Sequence, residues 1–183
     1  LGTSRTFDLK FDLTKATARN AFVPRLWASR KIARLIETIS DAGADAATAR
    51  HGGGRTLISN HASTAVPADP KMKELVDEIV RLSTEYGVLT EYTAFLATDG
   101  TDFSQRDALN ERARLSLVNN AQFTRSGQGG VTQGVNMSAQ RMQASANRSN
   151  FFFNQNAERV EITTVQQITD RTFFRRNNRW VDS

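Results

Sequence analysis

The chain has 183 residues, no cysteine, 39% hydrophobic residues and a formal net charge of +5. That length suits one domain with a real core or two small subdomains, and the lack of cysteine excludes disulfides, thiolate metal sites and a cysteine nucleophile. The charge is uneven: residues 1–103 hold 13 Lys and Arg against 13 Asp and Glu, whereas residues 104–183 hold 11 Arg against 6 Asp and Glu. No apolar run approaches the roughly 18 residues of a membrane span, and no charged-apolar-small leader pattern is present. The chain begins at Leu1, from which a piece of a longer protein is expected.

Residues 5–13 alternate, with Phe7, Leu9, Phe11 and Leu13 on one side and Asp8, Lys10 and Asp12 on the other. That is the pattern of a half-buried strand. Asn20 is a helix cap, Pro24 suits a first turn, and Ala28, Ile32, Leu35, Ile36 and Ile39 recur at helical steps. Arg34 and Glu37 are spaced to pair on the wet side. From Ser40 to Pro70 the pattern collapses into Ala, Gly, Asp and Thr with Gly52-Gly53-Gly54 inside it. A surface insertion with a short strand at Arg55 to Ser59 is expected there.

Asp69-Pro70 has the order of an N-cap and first helical residue. Met72, Leu75, Ile79, Leu82 and Tyr86 then make an apolar stripe, Asp77 and Arg81 are spaced to pair, and Gly87 suits a left-handed C-terminal residue. Val88 to Ala97, β-branched and aromatic with apolar groups on both faces, reads as a buried strand. Ser104-Gln105-Arg106-Asp107 has the form of a capping box for a third helix running to about Asn119. Residues 120–156 are rich in Gln, Asn, Ser and Gly and read as a flexible tract interrupted by a docking patch at Phe151-Phe152-Phe153. Val160 to Ser183 reads as a strand and then a hairpin, with its turn at Arg176-Asn177-Asn178-Arg179. The expected fold is α+β. An antiparallel helix pair packs beside a sheet or sandwich, followed by a third helix, a long polar loop and a C-terminal β-hairpin. The expected divisions are 1–103, 104–156 and 157–183.

Two separated blocks carry a resemblance. Leu26-Trp27-Ala28 with basic residues and Ile32-x-x-Leu35, then Leu82-x-x-x-Tyr86-Gly87-Val88-Leu89-Thr90-x-Tyr92-Thr93-x-Phe95-Leu96, are similar to the region after the von Willebrand factor type A domain in bacterial proteins of the VIT/type A class, which are inter-alpha-trypsin inhibitor heavy-chain-like. The last stretch, Val165 to Ser183, resembles the carboxyl-terminal extension of bacterial members. The family often has Pro where Glu91 stands. The resemblance implies an exported, extracellular, periplasmic or surface-attached protein. Its role would be non-enzymatic, in adhesion or extracellular assembly, with partners among other proteins, matrix and surface components. A divalent metal is expected only in an upstream type A domain, whose site is built on Asp-x-Ser-x-Ser. Asp102-Phe103-Ser104-Gln105-Arg106 departs from that string at its last position, so no metal or other cofactor is expected in this chain.

Among chemistry-bearing residues, Arg171, Arg175, Arg176 and Arg179 surround Phe173, Phe174 and Trp180. Arginine beside aromatics is a candidate anion-binding set for nucleic acid or acidic polysaccharide; a strand with one wet face is the simpler reading. His51-Gly52-Gly53-Gly54 has the look of a hydrolase oxyanion loop, but no Gly-x-Ser-x-Gly elbow accompanies it. His51 and His61 follow no zinc-site spacing. Catalysis is therefore not expected.

Overall fold

A computed structural model describes residues 10, 20, 22–51, 69–123, 126–142, 150–168 and 171–183. The fold is α+β, and among the described residues it has α1 (Val23–His51), α2 (Pro70–Tyr86), α3 (Arg106–Ser116), α4 (Gly127–Met142) and five short strands. A 3₁₀ turn spans Ala94–Ala97, and α3 continues into a π-helical segment, Leu117–Phe123. β1 (Asn150–Phe153) and β2 (Arg159–Ile162) form one antiparallel pair. β3 (Val165–Ile168), β4 (Arg171–Arg176) and β5 (Arg179–Asp182) form a separate antiparallel meander.

The helix pair forms as its stripes dictate. Ala28, Ile32, Ile36 and Ile39 of α1 meet Met72, Val76, Ile79, Val80 and Leu82 of α2 in one buried cluster, joined by Ala113, Leu117 and Ala121. Asp69 caps α2 by accepting from the Lys71 amide at 3.0 Å, Pro70 opens it, and Gly87 closes it at φ +61°. At that φ a glycine avoids the Cβ penalty of the left-handed region. Lys31 of α1 reaches Glu78 of α2, which also holds Arg81. These neighbours pull the Glu78 carboxyl down to about 2, Arg81 first, although its partial burial opposes them.

Several expectations need correction. α1 does not stop near Ser40 but continues to His51. Alanine-rich sequence keeps helix propensity after the apolar stripe has ended. Residues 88–97 are not a strand. They run as an irregular stretch into a turn and the 3₁₀ segment. The burial was legible: Val88 and Tyr92 belong to the helix-pair cluster, while Leu89, Leu96 and Ala97 belong to a second cluster under the sheets. A segment sandwiched between two cores is apolar on both faces whether or not it is a strand. Its amides find side chains in place of a ladder: Leu89 N–H donates to Asn150 Oδ1, Thr90 N–H to Thr93 Oγ1, and Tyr92 N–H to Thr90 Oγ1.

The tract 120–156 contains α4 and β1 rather than a flexible loop. α4 has little apolar surface to bury; Gly129, Thr132 and Asn136 are its buried residues. Polar ties hold it instead. The Asn136 amide donates to the Phe153 carbonyl and accepts the Phe153 N–H, both at 2.8 Å. Gln133 donates to the Asn120 carbonyl, and Arg141 pairs with Glu37 of α1 at 2.6 Å. Glu37 is thus engaged by α4, and Asp77 pairs with Lys73 at 2.6 Å while Arg81 turns to Glu78 and Glu85. The capping box does not form, since Ser104 donates both its amide and its hydroxyl to Asp102 and α3 starts at Arg106. Phe151–Phe153 lie in β1, with Phe152 against the second cluster. The hairpin turn stands as read: Asn177 and Asn178 both take positive φ, 47° and 60°, as a two-residue turn matched to strand twist requires. The expected strand at 5–13, apart from exposed Lys10, and the region 52–68 with Arg55–Ser59 and His61 lie outside the described residues.

Candidate functional site

The C-terminus of α2 is where α1, α2 and both sheets meet. A helix leaves its last carbonyls without intrahelical partners. Two of them are met from elsewhere in the chain: Thr172 Oγ1 of β4 donates to the Glu85 carbonyl at 2.7 Å, and Arg25 Nη1 of α1 donates to the Tyr86 carbonyl at 3.1 Å. A cation at this end also complements the helix dipole. Trp27 stands edge-on to Tyr86, with ring centroids 6.2 Å apart.

Arg25 occupies the first turn of α1 and is only 3% exposed. It lies in phase with the buried stripe, at 25, 29, 32 and 36, so the helix turns it inward. Besides the Tyr86 carbonyl, it donates to Gln167 Oε1 and to Asn150 Oδ1, each at 3.2 Å. Its Nε is buried and has no hydrogen-bond partner among the described residues. All three acceptors are neutral, and burial lowers the guanidinium to about 10. Beside it lies a cavity of about 90 Å³, walled by Ser29, Asn136, Gln140, Asn150, Val88 and Phe151 among others. Ser29 and Asn150 are buried, Asn150 with its Oδ1 shared between Arg25 and the Leu89 amide.

Asn136 also links this junction to Glu91. Burial pushes the Glu91 carboxyl up to about 7, while hydrogen bonds from its own amide, Asn136 and Tyr92 work in the other direction. Burial likewise raises the Tyr92 hydroxyl, and the neighbouring Glu91 adds to that. Glu91 is the second residue of a turn closed by the Thr93 amide on the Thr90 carbonyl at 3.1 Å. Proline is favoured at that position.

The four arginines singled out from the sequence do not gather into one site. Arg171 and Arg175 lie on one side of β4 and Arg176 on the other, by strand alternation. Arg179 stands opposite Arg176 across the hairpin. Arg171 is exposed and pairs with Asp182 at 2.9 Å. Arg176 turns inward, donating to the Leu96 and Thr98 carbonyls at 2.5 and 2.8 Å and lying over Phe103 and Phe174. Burial lowers its guanidinium, with Asp99 opposing. Arg175 and Trp180 are cross-strand neighbours, both exposed, with exposed Ile168 on the same sheet. His51 ends α1, and its glycine partners lie outside the described residues.

Sequence reasoning missed Arg25. The signal was a cation in phase with the apolar stripe of α1. Among the described residues no group of three or more His, Asp or Glu gathers to hold a metal ion, and no helix is long and apolar enough to cross a membrane. No family model, curated protein or solved structure matches the chain.

Proposed function

We propose that this chain is a non-catalytic structural and protein-interaction segment of an exported protein of the VIT/type A class, acting in adhesion or extracellular assembly. One observation carries the reading: the two blocks that bear the resemblance pack against each other as a single unit. Trp27, Ala28, Ile32 and Leu35 from the first lie with Leu82, Tyr86, Val88 and Tyr92 from the second. Thr90 and Thr93 serve the backbone there, and Glu91 occupies a turn position that accepts the proline often found in the family. Residues serving packing and capping fit a buttress for neighbouring domains better than a reactive centre.

The test is the coding sequence upstream of Leu1, where a type A domain with Asp-x-Ser-x-Ser is expected. Its melting should rise by several degrees when this chain is attached. A parent without that domain, or one whose type A domain melts identically with and without this chain, overturns the reading.

A second reading is favoured by the shared face of Arg171, Phe173, Arg175 and Trp180 on the meander. On it, the face binds acidic polysaccharide or nucleic acid through charge and stacking. Heparin and single-stranded DNA should then bind at low salt and lose affinity steeply as salt rises, with Arg175→Ala reducing that slope. Absence of binding at low salt removes this reading.

A further inference from the structure

Arg25 is a buried cation whose hydrogen-bond acceptors are all neutral. Taking a cation out of water is unfavourable unless an opposite charge compensates. Here the guanidinium, 3% exposed, meets two neutral side chains and a backbone carbonyl. Among the described residues no carboxylate forms an ion pair with it. A guanidinium offers five N–H groups; three bonds use Nη1 and Nη2, and Nε has no partner among the described residues. The adjoining cavity of about 90 Å³ exceeds the roughly 30 Å³ that one water occupies in the liquid. Its wall carries the carboxamide of buried Asn150, while the hydroxyl of buried Ser29 donates to the Gln140 carbonyl at 3.4 Å. The Asn150 oxygen is already engaged twice, so what that side chain has to offer is its amide N–H groups.

We propose that the cavity between α1, α4 and β1 binds a small oxyanion of the carboxylate or phosphate type. Arg25 supplies the countercharge, and the Asn150 carboxamide supplies further donors. Charge-assisted bonds of this kind are shorter and stronger than neutral ones, and a bidentate oxyanion matches the planar fork of arginine. The site stands on this geometry alone and does not depend on the role proposed above.

The experiment titrates the protein with sodium acetate and with sodium phosphate at fixed ionic strength made up with sodium chloride. It follows thermal unfolding and, for phosphate, the line width of the phosphorus NMR signal. Expected is a saturable rise in Tm with acetate or phosphate and exchange broadening of the phosphate line. Phosphate stabilises proteins generally by exclusion from their surface, so the reading is the difference from Asn150→Asp. That variant keeps an acceptor for Arg25 and the Leu89 amide and places a carboxylate beside the guanidinium, which should abolish both responses. Arg25→Lys, which keeps the charge but not the fork, should weaken binding at least tenfold, and Arg179→Gln should leave it unchanged. The proposal is overturned by an unbroadened phosphate line together with equal melting in all three salts. It is overturned equally if Asn150→Asp or Arg25→Lys responds as the wild type does.

Discussion

The helix pair and the C-terminal meander are held by different forces. α1 and α2 meet through continuous aliphatic stripes, with Ile32, Ile39, Ile79 and Leu82 all fully enclosed. The meander contributes two buried apolar side chains, Val165 and Phe174. It is also fastened by single hydrogen bonds: Thr172 to Glu85, Thr164 to Ala97, Arg176 to Leu96 and Thr98, the Asn177 amide to Asp99, and Arg25 of α1 to Gln167. Apolar contact is additive and tolerant of small shifts, whereas hydrogen bonds are directional and leave a costly orphan when one partner is removed. The helices therefore make the stable body, and the meander is a precisely registered attachment to it.

The largest effects should separate these two modes. Phe174→Ala removes the meander's anchor, which packs edge-on to Phe103 at 4.8 Å, and should cost about 3–5 kcal/mol. Leu82→Ala in the helix pair should cost about 2–5 kcal/mol. Hydrogen exchange distinguishes them. Phe174→Ala should expose amides of β3–β5 ahead of α1 and α2, whereas Leu82→Ala should raise exchange throughout. Uniform exchange in both variants would merge the two regions into one cooperative unit.

Gly87→Ala probes the joint. An added Cβ would lie 2.7 Å from Thr172 Cγ2 at a backbone φ of +61°. A cost of about 2 kcal/mol is expected from left-handed strain plus displacement of β4, read as a lower midpoint in urea. A midpoint equal to wild type would mean that β4 moves away freely.

Glu91 gives the joint a pH dependence. Its folded carboxyl is raised to about 7 from 4.5, so the folded state binds the extra proton. The associated stability is fully present below about pH 4.5 and is lost as pH rises through 7. Glu91→Gln should therefore flatten that fall and stabilise the protein at pH 8 by about 2 kcal/mol. Parallel stability profiles for the variant and wild type between pH 4.5 and 8 would show that the carboxyl has no special burial. The smallest effect belongs to the hairpin turn. Asn178→Gly, at φ 60°, should raise stability by up to about 0.5 kcal/mol, and a loss instead would place the turn in another geometry.

The same contrast decides what could be read from the sequence. The helix pair was legible because stripes and caps are local patterns: Asp69-Pro70 starts α2 and Gly87 ends it, as spacing predicts. The turn at Asn177-Asn178 was legible for the same reason. Residues 88–97 were legible as buried but not as irregular, since their amides are satisfied by Thr90, Thr93 and the distant Asn150. α4 escaped notice because its glycines and polar residues carry no stripe and its ties to Phe153, Asn120 and Glu37 are all remote in sequence. The junction at Arg25 combines partners from α2, β1 and β3, which no window along the chain contains. Arg176 was singled out for its charge, yet its partners are carbonyls nearly eighty positions upstream.

The grip of Asn136 on Phe153 has one more consequence. Among the described residues β1 pairs only with β2, so it presents backbone groups on its outer side, the kind of border to which a foreign strand can add. Asn136 meets the N–H and C=O of Phe153 together, as the next strand in a sheet would. A single carboxamide thus acts as a dummy neighbour. It occupies the Phe153 position of that border, at the end of three consecutive phenylalanines.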